Sequence, residues 1–227
     1  MRMPRRSWIV ALFTFLLAGC CKTQPSGGDG PLDPDALSIV AIDDEPDPFQ
    51  EATNLPNGLS LERENAGWDT GRAEPRVYLR LQRNPAETLP DALKRVRPWL
   101  EKHPLPQGRR LGWAPVFAGP PSNDITGWRS YLLVGPVVVN GADVRRFEDV
   151  DDMTTGPSLL IELSDSGAKA FEALTRRHVK RRCAILVRGV VESAPVIQEP
   201  IAGGKLRLTA GGGYGTQRLR DALLGTQ

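Results

Sequence analysis

The chain is poor in the residues that carry out chemistry. It has two histidines and three cysteines in 227 residues, and His103 and His178 stand without a partner at metal-ligand spacing. A zinc centre needs several such side chains at set intervals, so a resident metal is not expected. No serine sits in a nucleophile elbow and no glycine loop ends in the lysine of a phosphate cradle. Gly211-Gly212-Gly213-Tyr214-Gly215 is glycine-rich, but without a cationic side chain at a following helix it reads as a strand-end turn. Glu192 and Glu199 flank a proline-interrupted strand, and nothing local sets them at a hydrolytic separation. The expectation is a protein without catalysis and without a cofactor.

Other shortages narrow the class further. Two of the three cysteines, Cys20 and Cys21, are adjacent near the N-terminus, so the folded part has no disulfide framework. Cys183 opens the apolar run Cys183-Ala184-Ile185-Leu186-Val187 and reads as a small buried hydrophobe. The formal charge is only +2, and nothing in that balance suggests nucleic acid. One long apolar run exists, from Trp8 to Leu17. At ~1.5 Å per residue it reaches roughly 15 Å, half of the ~30 Å hydrocarbon core, too short for a spanning helix.

What that run does fit is a leader. Arg2, Arg5 and Arg6 precede it and Leu17-Ala18-Gly19-Cys20 follows, the pattern of a bacterial lipoprotein signal over residues 1–19 with Cys20 as the acylated residue. Cleavage before Cys20 removes those three arginines and leaves 26 basic against 27 acidic residues. Acyl chains contribute ~0.8 kcal/mol per buried methylene, and more than one is needed for stable anchoring. The expected mature protein is held to the bilayer through Cys20 and faces the periplasm. Cys21 in place of an aspartate favours the outer over the inner membrane.

Residues 20–75 are rich in Gly, Pro, Ser and acid, with Asp43, Asp44, Glu45 and Asp47 in one cluster, and read as a flexible acidic linker. About 50 residues of that kind reach roughly 35 to 40 Å. Leu37–Ile42 is its one apolar stretch, a strand or a docking segment. The acidic cluster lacks the glycine and spacing of a calcium loop.

Order is expected from residue 76. Arg76–Leu81 alternates as a half-buried strand. Thr88 can cap a helix that has Pro90 in its first turn and Leu89, Leu93, Val96 and Leu100 along one face, with Pro98 ending or kinking it near Arg97. Residues 108–124 read as an irregular or extended connection. Residues 131–134 form a strand candidate that Gly135-Pro136 breaks, and Asn140 begins a new element. Val144–Asp151 and Ser158–Leu163 make a pair. Ser164 caps a helix to about Arg182 that buries Phe171 and Leu174, and Cys183–Val187 turns at Arg188-Gly189 into a hairpin partner. The class is α+β, with a small mixed or antiparallel sheet, one main packed helix and a C-terminal helix.

Several of these segments together resemble a known family. Gly141-Ala142-Asp143-Val144, then Ser164-Asp165-Ser166-Gly167-Ala168-Lys169-Ala170-Phe171 with Leu174-Thr175, then Val187-Arg188-Gly189-Val190-Val191-Glu192-Ser193-Ala194-Pro195-Val196-Ile197 and Glu199-Pro200-Ile201 are similar in order and content to SecD. The similarity is to the head subdomain of the first periplasmic domain of this export subunit, over residues 131 to 224. Residues 76–130 match poorly, and SecD's multiple membrane helices have no counterpart here.

The resemblance implies contact with polypeptide emerging at the outer side of the membrane, or with translocase components. Strand addition at a hairpin edge formed by Val190, Val191, Glu192, Ser193, Ala194, Val196 and Ile197 is one route to such contact. The alternative is a cell-envelope structural or ligand-binding module that reuses the fold.

Overall fold

The computed structural model describes residues 27–44, 48–64, 75–119, 124–152, 156–209 and 215–226. The expected leader, residues 1–19, and Cys20 lie outside them. Eleven strands and three α-helices are present among the described residues, an α+β fold.

In chain order they are β1 (Gly27–Asp29), β2 (Leu37–Ile42), β3 (Leu59–Glu64), β4 (Arg76–Gln82), α1 (Leu89–Lys102), β5 (Arg109–Phe117) and β6 (Ile125–Asn140), then a 3-10 turn at Gly141–Asp143. They continue as β7 (Val144–Asp152), β8 (Gly156–Leu163), α2 (Asp165–Arg177), β9 (Cys183–Val187), β10 (Val190–Ser193), β11 (Lys205–Thr209) and α3 (Gly215–Leu224).

The strands form two sheets. The smaller has the order β1-β7-β8-β11. The larger runs β2-β9-β10-β5-β6-β4-β3, and β2 pairs again with β6. That last pairing closes β2, β9, β10, β5 and β6 into a ring, with β4 and β3 branching from the first half of β6. Closure removes the free edges of the ring strands.

One strand makes the ring possible. β6 is 16 residues long; its first part pairs with β5 and β4, and its last part pairs with β2. Gly135-Pro136, expected to break the chain, instead bulges it. Gly135 takes φ +74°, a conformation that costs glycine little, and between Val134 and Val139 the register against β2 shifts. The bulge redirects one strand from one partner to the next.

The expected linker is the largest departure, although its one apolar stretch, Leu37–Ile42, is a strand, one of the two forms expected for it. Leu37, Ile39 and Val40 are fully buried, and β2 pairs with both β9 and β6. Its residues alternate between two cores: Leu37, Ile39 and Ala41 join the main one with Phe147, Ile161, Phe171 and Leu219. Val40 and Ile42 point into the ring with Leu133, Ala184, Leu186 and Val191. A six-residue apolar run wanted on both faces offsets the ordering entropy that its acidic neighbours would not. The approach to β2 is equally fixed. Gly141 donates to the Pro34 carbonyl at 3.1 Å and accepts from the Leu32 amide at 3.0 Å, and a Cβ on Gly141 would stand 1.9 Å from the Asp33 carbonyl oxygen. Only glycine admits that approach.

The helices follow their local signals with two differences. Ser164 accepts from the Gly167 amide at 3.2 Å and caps α2, whose Phe171 and Leu174 are buried. It ends at Arg177, short of Arg182, because the chain turns back through Lys180 at φ +64° to enter β9. α1 runs through Pro98 to Lys102. Pro98 and Lys94, whose carbonyl the proline leaves without its usual donor, both face solvent, while Val96 and Trp99 are buried with Leu79, Trp113 and Trp128. Packing on one face holds the helix where water serves the other. Residues 109–117, expected to be irregular or extended, are extended and form β5, whose partner β6 is not visible locally.

Candidate functional site

The hairpin proposed to receive a polypeptide is not an edge. β10 pairs antiparallel with β9 and parallel with β5, through Val190 and Trp113. Val191 and Ile197 are 1% and 3% exposed, and Val196 bridges to Arg182. Glu192 accepts both Arg218 guanidinium contacts, at 2.9 and 2.5 Å, which ties β10 to α3. Ser193 pairs with Ile185, and Ala194 packs beside the ring core. The reason is long-range: β5, some 80 residues earlier, pairs with β10 at Val190.

The expected bystanders are structural. Each histidine uses Nδ1 to donate to a carbonyl four residues earlier, His103 to Trp99 and His178 to Leu174, both at 2.9 Å. They close the ends of α1 and α2. Cys183 is a free, buried thiol, and burial pushes its pKa up to about 11. Among the described residues no group of three or more His, Cys, Asp or Glu is placed to hold a metal.

Two features that no local motif announces remain. The first is a groove of about 390 Å³ between α2 and the β6 bulge, lined mainly by apolar atoms. Ala41, Val134, Pro136, Val138, Ala170, Ala173 and Leu174 form it, and Arg177 and His178 stand at its side. The helical period of α2 and the bulge at Gly135-Pro136 create it together: the bulge carries Pro136 away from the ring ladder, and small residues at 170 and 173 keep the helix from filling the space.

The second is a polar knot where β2 ends. Arg182 Nε donates to Asp44 at 2.8 Å, its Nη2 also contacts Asp44, and its Nη1 donates to the Tyr78 hydroxyl at 2.9 Å. Tyr78 donates to Glu64 at 2.9 Å, and Arg129 donates to the same carboxylate oxygen at 2.7 Å while lying 3.7 Å over the Tyr78 ring. Burial pushes the Tyr78 phenol up, against the pull of Arg182 and Arg129. For Glu64 burial acts upward too, but Arg129 and the Tyr78 hydroxyl outweigh it and hold the carboxyl below its ordinary value. Burial opposes the charge of Arg182, and the hydrogen bonds to Asp44 more than offset it.

Most of the groove and the hairpin lie in one stretch of sequence that has known relatives. Residues 121–218 match the SecDF P1 head subdomain. The SecD protein translocase subunit of Syntrophobacter fumaroxidans is 41% identical over 73 residues, 32% of this chain and 13% of that protein. SecD of Sebaldella termitidis is 39% identical over 80 residues, 35% and 19% of the two chains. SecDF of Thermus thermophilus is 38% identical over 72 residues, 32% and 10%. The chain thus spans less than a fifth of the length of these relatives. A solved structure of SecDF, described as a membrane component that enhances protein export, covers 83% of this chain and 91% of its own at 18% identity. Its TM-score is 0.36, too low to add to the sequence match.

The SecDF head match includes β6 to β11, and the ring it helps to build is completed by β2 and β5, outside it. Among the described residues no helix is long and apolar enough to cross a membrane.

Proposed function

We propose that the protein is a non-catalytic, lipid-anchored envelope module whose SecD-like head contacts extended polypeptide during export. The observation that carries this reading is the coincidence of the SecDF head match at 121–218 with the α2/β6 groove, all of whose lining residues except Ala41 fall within the match. Anchoring through acylated Cys20 would hold the head at the outer face of an envelope membrane, where exported chains emerge.

The groove replaces the hairpin as the contact surface. It suits an aliphatic or aromatic side chain of a chain with no folded structure of its own, seated against Val134, Val138 and Leu174. Arg177 beside it favours neighbouring backbone carbonyls or acidic groups of that chain. One such side chain, buried, contributes about 1.5 to 3 kcal/mol. A few hydrogen bonds add about 0.5 to 1.5 kcal/mol each. After the cost of immobilising the chain, dissociation constants of tens of micromolar or weaker follow, which lets a moving polypeptide go.

The experiment is site-specific photocrosslinking in intact cells from Ala173, which is exposed on the groove side of α2. Crosslinks to exported polypeptides or translocase components support the reading. Crosslinks confined to cell-wall or outer-membrane structural proteins would instead favour an envelope module that reuses the fold.

A further inference from the structure

A second groove abuts the one beside α2, and no carboxylate lines either among the described residues. It measures about 380 Å³ and lies between α1 and the start of β5. Leu93, Leu100, Leu105, Leu111 and Trp113 give it an apolar lining, and Arg97, Arg109 and Arg110 stand among them. The two grooves meet at Val134. Arg109 is directly opposite Val134 in the β5–β6 ladder, and Ala41 is opposite it in the β2–β6 ladder. Opposed residues of an antiparallel pair share a face, so Ala41 and Val134 of the first groove lie in one row with Arg109 of the second. One residue on, Arg110 Nη1 donates to the Gly135 carbonyl at 2.8 Å, which ties the second groove to the backbone of the first.

The charge left over along this path is of one sign. Asp43 matches Arg109 at 2.8 Å. Arg97 and Arg110 in the second groove and Arg177 in the first are exposed, and among the described residues none of them forms an ion pair. Glu101, one turn beyond Arg97 on α1, is exposed and forms none either. We infer that the two grooves form one track for extended polypeptide in which apolar residues are interspersed with aspartate and glutamate. This builds on the polypeptide reading of the first groove; the second half of the track, in α1 and β5, lies outside the SecDF head match. Apolar side chains seat against Val138 and Leu174 in one groove and Leu100 and Leu111 in the other, and carboxylates along the chain meet Arg177, Arg110 and Arg97. Cations spread over three elements along a groove suit a chain better than a bilayer surface. A basic segment of equal apolar content meets three like charges instead.

The test is titration of the full-length protein, held in nanodiscs of neutral lipid, with two permanently unfolded polypeptides of equal length and apolar content. One carries glutamate at its polar positions and the other lysine. Three exposed ion pairs together are worth roughly tenfold, so the acidic polypeptide should bind about tenfold tighter, and the preference should shrink at high salt. Arg97→Glu should reduce that preference at least about threefold. Arg97→Glu combined with Arg110→Glu should abolish it, with the melting temperature unchanged within a degree or two. Ala173→Trp separates the two claims. If it weakens both polypeptides and neither is preferred, the first groove stands and the acidic track is overturned; if neither polypeptide binds the parent, both fall. Binding to anionic vesicles that Arg97→Glu removes, with no preference between the polypeptides, would assign these arginines to lipid and overturn the track as well.

Discussion

At the residue scale, two side chains show opposite ways of being buried. Arg182 is charged and kept so by Asp44, and truncating it leaves that buried carboxylate only the more distant Arg76, at 3.5 Å. Arg182→Ala should cost about 3 to 5 kcal/mol in denaturant unfolding, the range for breaking a buried pair by removing one partner. Replacement of both Arg182 and Asp44 by apolar residues should cost less than the sum of the single changes. Cys183 is neutral and kept so by burial, with its pKa pushed up to about 11 from an ordinary value of 9.0. A folded value above the unfolded one means the native state binds the proton more tightly. Its contribution is therefore present below pH about 9 and declines as pH rises toward 11. Cys183→Ala should flatten that part of the alkaline stability curve, and the thiol of the parent should react with a thiol reagent only at the rate of unfolding. Neither role of Arg182 was legible in the sequence, since Asp44 lies 138 residues away. Cys183 was legible, because its apolar run surrounds it.

At the element scale, what could be read and what could not divides by the range of the interactions. The helix α2 carries its own cap at Ser164, its own apolar stripe and its own basic end, and all three are local signals. Phe171→Ala should cost about 3 to 5 kcal/mol. The strand β2 carries no alternation because it is buried on both faces, and it sits among acidic residues that look like linker. Ile39→Ala should nevertheless cost about 2 to 5 kcal/mol, and removal of residues 27–44 should abolish the cooperative transition altogether. A transition unchanged by either would return that segment to linker. The hairpin at β9 and β10 was legible as a hairpin, from Arg188 and Gly189 at φ +49° and +80°. That β5 would cover its outer side was not, because a pairing across most of the domain leaves no mark on either strand. Pro98 shows the converse: a strong local signal to stop was overridden by tertiary packing of Val96 and Trp99.

At the scale of the whole molecule, a region similar to the SecDF head is completed by strands from outside the match, so the folded body is a unit larger than the resemblance alone implies. Cys20→Ala should shift the protein out of the membrane fraction, and a variant that fractionates like the parent would remove the anchor from the reading. The central claim is that the groove beside α2 receives extended polypeptide. Titration of the full-length protein with a permanently unfolded polypeptide, in parallel with an Ala173→Trp variant that fills the groove, tests it most directly. Saturable binding with a dissociation constant between about 10 μM and 1 mM, weakened at least tenfold by Ala173→Trp while the melting temperature stays within a degree or two, is the expected result. The absence of saturable binding up to millimolar polypeptide, or binding that Ala173→Trp leaves unchanged, would contradict it.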